Sequence, residues 1–173
     1  MNNSGSDETT IVPTSSMSFE KQVLILRAYV VYSEKGLNPV HYRTVVSATR
    51  VARTQVSGVN AFFTGLGFIR RTGKGTYVPT AECVRFYSDE PGKEDYNYLR
   101  EPVERSELYS RVRNFVQVHG STTEKQIVNY LLDLSGETTP SRARRALEWL
   151  VRTNLVRIGD EGSLEMTKGD SPS

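Results

Sequence analysis

At 173 residues the chain is long enough for one domain of ordinary size or two small ones, and its 37% apolar and 24% charged content is that of a globular protein. A formal charge of +2 marks no strong polyanion binder, and a single cysteine excludes a disulfide framework within the chain. The longest apolar stretch, VLIL and AYVVY around Arg27, falls well short of the about 20 residues that a membrane-spanning helix needs.

Residues 1–17 carry Ser, Thr, Asn and Gly with little to bury, so a disordered tail is expected there, as it is over 168–173. The opening MNNSGSDETT lacks the basic and apolar regions of a signal peptide, which makes a cytoplasmic protein the expectation. Apolar spacing in FEKQVLILRAYVVYSEKG predicts a helix over 19–36 that Gly36 ends. Asn38-Pro39 supplies an N-cap and a first-turn proline for a second helix over about 39–49. A third helix runs from Arg53 to about Leu66, with Gly67 as its stop. FIRRT and TYVPT follow as short strands around Gly73-Lys74-Gly75, and Thr80 caps a last short helix, AECVRFY. These elements make a first domain over 18–88.

The stretch SDEPGKEDYNYLREP is polar and interrupted by Pro91, Gly92 and Pro102, which marks 89–103 as an acidic linker. Tyr96, Tyr98 and Leu99 give that linker something to pack. A second domain over 104–167 repeats the plan. SELYSRVRNFVQVHG is amphipathic, Ser121 and Glu124 form a capping-box signature for a helix at about 122–134, and Thr139-Pro140 opens another that reaches about Thr153. LVRI and SLEM are then strands around Gly159-Asp160-Glu161-Gly162. The third helices agree in detail: Val56, Val59, Phe63, Gly67, Phe68, Ile69 and Arg70 recur at matching offsets as Ala143, Ala146, Leu150, Asn154, Leu155, Val156 and Arg157.

Charge is sorted along this repeat. From Gly36 to Ser88 seven basic residues (Arg43, Arg50, Arg53, Arg70, Arg71, Lys74 and Arg85) face one acid, Glu82, a local net of +6. From Asp89 to Glu107 seven acids outnumber three bases, a local net of −4. Sorting of this kind bears on partners more than on folding.

The stretch PVHYRTVVSATRVARTQVSGVNAFFTGLGFIRRTGKGTYVPT resembles a winged-helix domain, the helix-turn-helix variant with a β-hairpin wing. The segment 106–167 is similar, with SRARRALEWLVRTNLVRI at the recognition-helix position. The fold class expected is therefore mainly α with small β-hairpin wings, built as tandem winged-helix domains. The resemblance implies a third helix in the major groove of double-stranded DNA, its early outward residues at base edges. Those positions are Thr54, Gln55, Ser57 and Asn60, of which Gln and Asn can make bidentate contacts to adenine. Arg50 and Arg53 would meet phosphate at the helix entry, and Arg70, Arg71 and Lys74 would do so from the wing. In the second domain Arg142, Arg144 and Arg145 either bind phosphate or guanine or pair with the acidic linker or another subunit. Its wing tip carries Asp160 and Glu161, which repel a phosphate backbone.

A DNA-binding transcriptional regulator or architectural protein, nucleoid-associated in that role, is the expected function. Tandem winged helices also serve as adaptors, so a protein–protein adaptor within a larger complex is the rival, with a protein partner at the second domain. From Val23 to Tyr32 only Arg27 interrupts apolar residues, more than one buried stripe requires. The other domain of the same chain, or the same helix of a second copy in a homodimer, would supply the missing surface. Enzymatic chemistry finds no support in the motifs. His41 and His119 are far apart in sequence, Cys83 is alone, and no cofactor is expected. Lys74 is followed by Gly75 where a phosphate-binding P-loop requires Ser or Thr.

Overall fold

The computed structural model describes residues 10–167. Its first half opens with α1 (Phe19–Tyr32), which Ser18 caps by accepting a hydrogen bond from the Lys21 amide. A two-residue strand β1 (Val40–His41), α2 (Tyr42–Thr49) and α3 (Arg53–Gly65) follow, then a hairpin of β2 (Ile69–Gly73) and β3 (Thr76–Pro79). β3 lies between its antiparallel neighbours, with Val40 opposite Tyr77 and Arg71 opposite Tyr77 on the other side. The short helix α4 (Ala81–Phe86) is capped by Thr80 as the sequence predicts. A 3₁₀ turn at Tyr96–Leu99 and α5 (Arg100–Glu104) cross to the second half.

That half has the same order: α6 (Glu107–His119), β4 (Thr122–Thr123), α7 (Glu124–Ser135), α8 (Pro140–Arg152), β5 (Val156–Ile158) and β6 (Ser163–Met166). Its sheet again places the last strand in the middle, β4-β6-β5. The molecule is thus mainly helical, with two small antiparallel three-stranded sheets. Gly67 and Asn154 both take positive φ, 77° and 58°, at corresponding helix exits.

Several boundaries differ from expectation for local reasons. Val40 and His41 are drawn into the sheet by β3, so Asn38 and Pro39 precede the strand and His41 becomes the N-cap of α2. Thr123 and Gln126 form the capping box, one of two overlapping signatures, and the register with Ser121 and Glu124 is not used. The first helix stops at Tyr32, and residues 34–36 form a left-handed turn instead of helix. Residues 10–17, expected in the tail, form a strap. Val12 and Met17 are buried, the Ser16 hydroxyl lies 2.7 Å from that of Ser141 on α8, and Thr14 seats against Gly58 of α3. A Cβ at Gly58 would collide with the Thr14 hydroxyl, so glycine is what lets the strap lie flat there. The rest of that tail, 1–9, and 168–173 lie outside the described residues.

The two halves share one core, joined at Trp149 of α8. Its indole is buried against Phe19, Phe63, Phe68 and Tyr96, at ring centroid distances of 4.6, 6.1, 4.9 and 6.2 Å. The indole N–H donates to Gln22 Oε1 at 2.6 Å, and the Gln22 amide donates to the Met17 carbonyl at 3.2 Å. One relay of polar groups therefore ties the second half, α1 and the strap together. The single charge in the apolar run of α1 is also accommodated: Arg27 Nη1 donates to Glu94 Oε1 and to the Ser88 carbonyl, both at 2.6 Å, and the guanidinium sits over the Tyr87 ring. The acidic linker is thereby pinned to α1, with Leu99 buried and Tyr96 wedged between Phe19 and Phe86.

The surface that α1 calls for is thus largely supplied within the chain. Ile25, Leu26, Tyr29 and Val30 are fully enclosed, so the breadth of that apolar run does not itself require a second copy. If the joint has this form, Trp149→Ala destabilises the whole protein by about 3–5 kcal/mol. Gln22→Leu, which orphans the indole N–H, costs about 1–3 kcal/mol. Urea denaturation followed by circular dichroism should show one transition, shifted in both variants. Two transitions, only one of which moves, would mean that the halves fold separately.

Candidate nucleic-acid interface

Three elements of the first half converge on Tyr42. It opens α2, where its amide donates to the Gly75 carbonyl at the hairpin tip, 2.9 Å away. Gly75 has φ 73°, and a Cβ there would lie 2.9 Å from His41 Nε2 and 3.2 Å from the Tyr42 ring. Glycine is required on both counts, because the tip turns left-handed and lies flat on the start of α2. The Gly-Lys-Gly stretch is therefore a turn docked on a helix start, and Lys74 projects from it exposed. From the other side Arg53, the first residue of α3, donates from Nε to the Tyr42 hydroxyl at 2.8 Å. Its guanidinium carbon stands 5.7 Å from the ring centroid.

This cluster has an electrostatic signature. The Arg53 hydrogen bond, and then Arg43, hold the Tyr42 phenol below its ordinary range, since both favour the phenolate. Arg43, Arg50, Arg53, Arg70 and Lys74 are all exposed, and none forms an ion pair with an acid among the described residues. Arg50 caps α2 in the left-handed conformation, φ 58°, in the turn that leads to α3. Arg71 lies exposed on β2, its Nε donating to the Gly73 carbonyl at 3.2 Å. The arrangement offers hydrogen-bond donors with positive charge, fit to receive phosphate oxygens.

The residues expected to read bases are only partly presented. Thr54 and Ser57 are exposed on α3, and Gln55 is half-buried. Asn60 is not outward at all. It is 1% exposed, and its Oδ1 accepts from the buried Tyr29 hydroxyl of α1 at 2.8 Å. The reason is angular. Asn60 lies one turn on from Val56, at the edge of the buried face of α3, and Tyr29 of α1 reaches it there. Its expected place at a base edge is corrected accordingly.

The second half treats its arginines differently. Arg142 pairs with Glu137 at 2.5 Å, and Arg145 pairs with Glu148 at 3.1 Å. Of the third-helix arginines only Arg144 is exposed without an ion pair among the described residues. In the second hairpin Arg157 is paired across the strands with Glu165, and Asp160 and Glu161 occupy the turn. The neutralising acids lie within this half and not in the linker, whose Glu94 is engaged by Arg27.

Tyr42, Arg43 and His41 belong to the site but escape reasoning from the third helix and hairpin alone. Their signal is the aromatic and basic run His41-Tyr42-Arg43 at a helix start. His41 stacks on Tyr42 at 4.9 Å and caps α2 by accepting the Arg43 amide at 3.2 Å. Far from this cluster, His119 stacks on Phe115, and Cys83 is buried with its thiol pushed up to about 12 by desolvation. Comparison with protein-family models, with curated proteins and with solved structures returned no match.

Arg53→Ala removes the larger cause of the Tyr42 shift, so the phenol should return upward toward its ordinary value. A pH titration of the ring-ε carbon or proton resonances of Tyr42 reads this directly. An unchanged titration midpoint would mean that Arg53 does not engage the hydroxyl in solution.

Proposed function

We propose that the chain is a tandem winged-helix protein that binds duplex DNA without catalysing a reaction, as a transcriptional regulator or architectural binder. The observation that carries this reading is the basic cluster around Tyr42. There the starts of α2 and α3 and the tip of the first hairpin meet, and Arg43, Arg50, Arg53 and Lys74 stand exposed without acidic partners among the described residues. The order helix, strand, helix, helix, hairpin in each half, with the last strand central in each sheet, supports the winged-helix reading.

In this reading Arg53, Arg50 and Lys74, with Arg70 and Arg71, hold the phosphate backbone, and the first residues of α3 enter the major groove. With Asn60 buried, base contacts fall to Thr54, Ser57 and Gln55, of which Ser and Thr discriminate weakly. Binding is therefore dominated by phosphate and tolerant of sequence. The second half braces the first through Trp149 and contributes little charge.

An adaptor role for the second half is favoured by one observation, its internally paired arginines and acidic hairpin, which leave it poorly suited to phosphate. Fluorescence anisotropy of a labelled duplex against salt separates the two roles. If DNA is the ligand, log affinity falls linearly with log salt, and Arg53→Ala with Lys74→Ala flattens the slope by about 0.9 for each phosphate no longer neutralised. Indifference to duplex at low salt would sink the DNA reading.

A further inference from the structure

One stripe of α1 is left uncovered by its own chain. Leu24 and Val31 remain 43% and 51% exposed, two helical turns apart, and Tyr32 beside them is 50% exposed. Ala28 lies between Leu24 and Val31 but is itself buried, so the uncovered surface is two patches flanking it. Glu20 and Lys21 stand exposed at the N-terminal end of this stripe. Just past its C-terminal end, Glu34 and Lys35 stand exposed in the left-handed turn, at φ 53° and 58°. None of these four charges forms an ion pair among the described residues.

The order of charge is acid then base at both ends, and turned end for end the pattern becomes its own complement. With a second copy laid antiparallel so that its Val31 meets Leu24, the turn that carries its Glu34 and Lys35 comes to the Glu20–Lys21 end of the first, where each sign can find its opposite. A parallel arrangement instead sets Glu20 against Glu20 and Lys35 against Lys35. A hollow beside Val31, bordered by Val30, Tyr87, Asp89, Glu34 and Lys35, lies where the second copy's Leu24 and its N-terminal charges would arrive.

We propose that the chain forms a two-fold homodimer through antiparallel α1 helices, Leu24 of each copy packing on Val31 of the other, with Glu20–Lys35 and Lys21–Glu34 pairs closing both ends. The proposal does not depend on DNA binding, and its test uses none. Sedimentation equilibrium of the full chain should show a mass that rises with concentration from 19.5 kDa toward twice that value. Leu24→Asp with Val31→Asp should hold it at the monomer with an unchanged circular dichroism spectrum, because both positions are exposed.

The register has its own test. Glu20→Lys should weaken association about tenfold, since a two-fold interface counts each substitution twice. Glu20→Lys combined with Lys35→Glu should restore it to within about threefold of the parent. A chain that stays monomeric up to about 1 mM would overturn the proposal. So would association that survives Leu24→Asp with Val31→Asp, or a double charge exchange that fails to rescue.

Discussion

The hydrogen bond from Trp149 to Gln22 is the constraint on which the rest of the molecule depends. An indole buried in another unit's core brings its N–H with it, and a buried N–H without an acceptor costs more than the packing of one ring edge returns. Gln22 supplies the acceptor, and its own amide must then find a carbonyl, which the strap provides at Met17. The relay therefore fixes three things at once. It sets the depth to which α8 enters the first half, the rotation of α1 about its axis, and the path of the chain before α1. Phe19, Phe63, Phe68 and Tyr96 close around the indole in that geometry.

The same constraint explains how the charge is distributed. Once α1 is turned to present Gln22 to α8, Arg27 faces the linker, where Glu94 and the Ser88 carbonyl receive it. A buried charge of this kind contributes little net stability, but removing its partner is costly, so the linker is committed to that position. The acids of the linker are then partly engaged at home. Arg43, Arg50, Arg53 and Lys74 of the first half are left without carboxylate partners among the described residues, and the second half balances its own arginines through Glu137, Glu148 and Glu165.

Much of the architecture was legible in the residues because the signals were local. Thr80 caps α4, Pro140 opens α8, and Gly67 and Asn154 take the left-handed exit as their residue types allow. The broad apolar character of α1 was readable too, as a demand for a second surface, although nothing in the helix says which surface answers. What was not legible depends on contacts distant in sequence. Val40-His41 is too short to show strand periodicity and is a strand only because β3 pairs with it. The strap looks like tail by composition and is anchored by three buried apolar residues, Val12, Pro13 and Met17. Asn60 sits at the edge of the buried arc of α3, and only the Tyr29 hydroxyl decides which way it counts. For the candidate interface, the arginines and Lys74 were visible as a charge imbalance. Tyr42 was not, because its role comes from the hairpin folding back onto it.

The strap lying on Gly58 carries a consequence for the origin of order in this chain. It touches α3 of one repeat and α8 of the other, so its path exists only after both repeats have docked. It is a latch that holds only while both repeats are docked, so exchange of the amides of residues 10–17 reports on the joint between them.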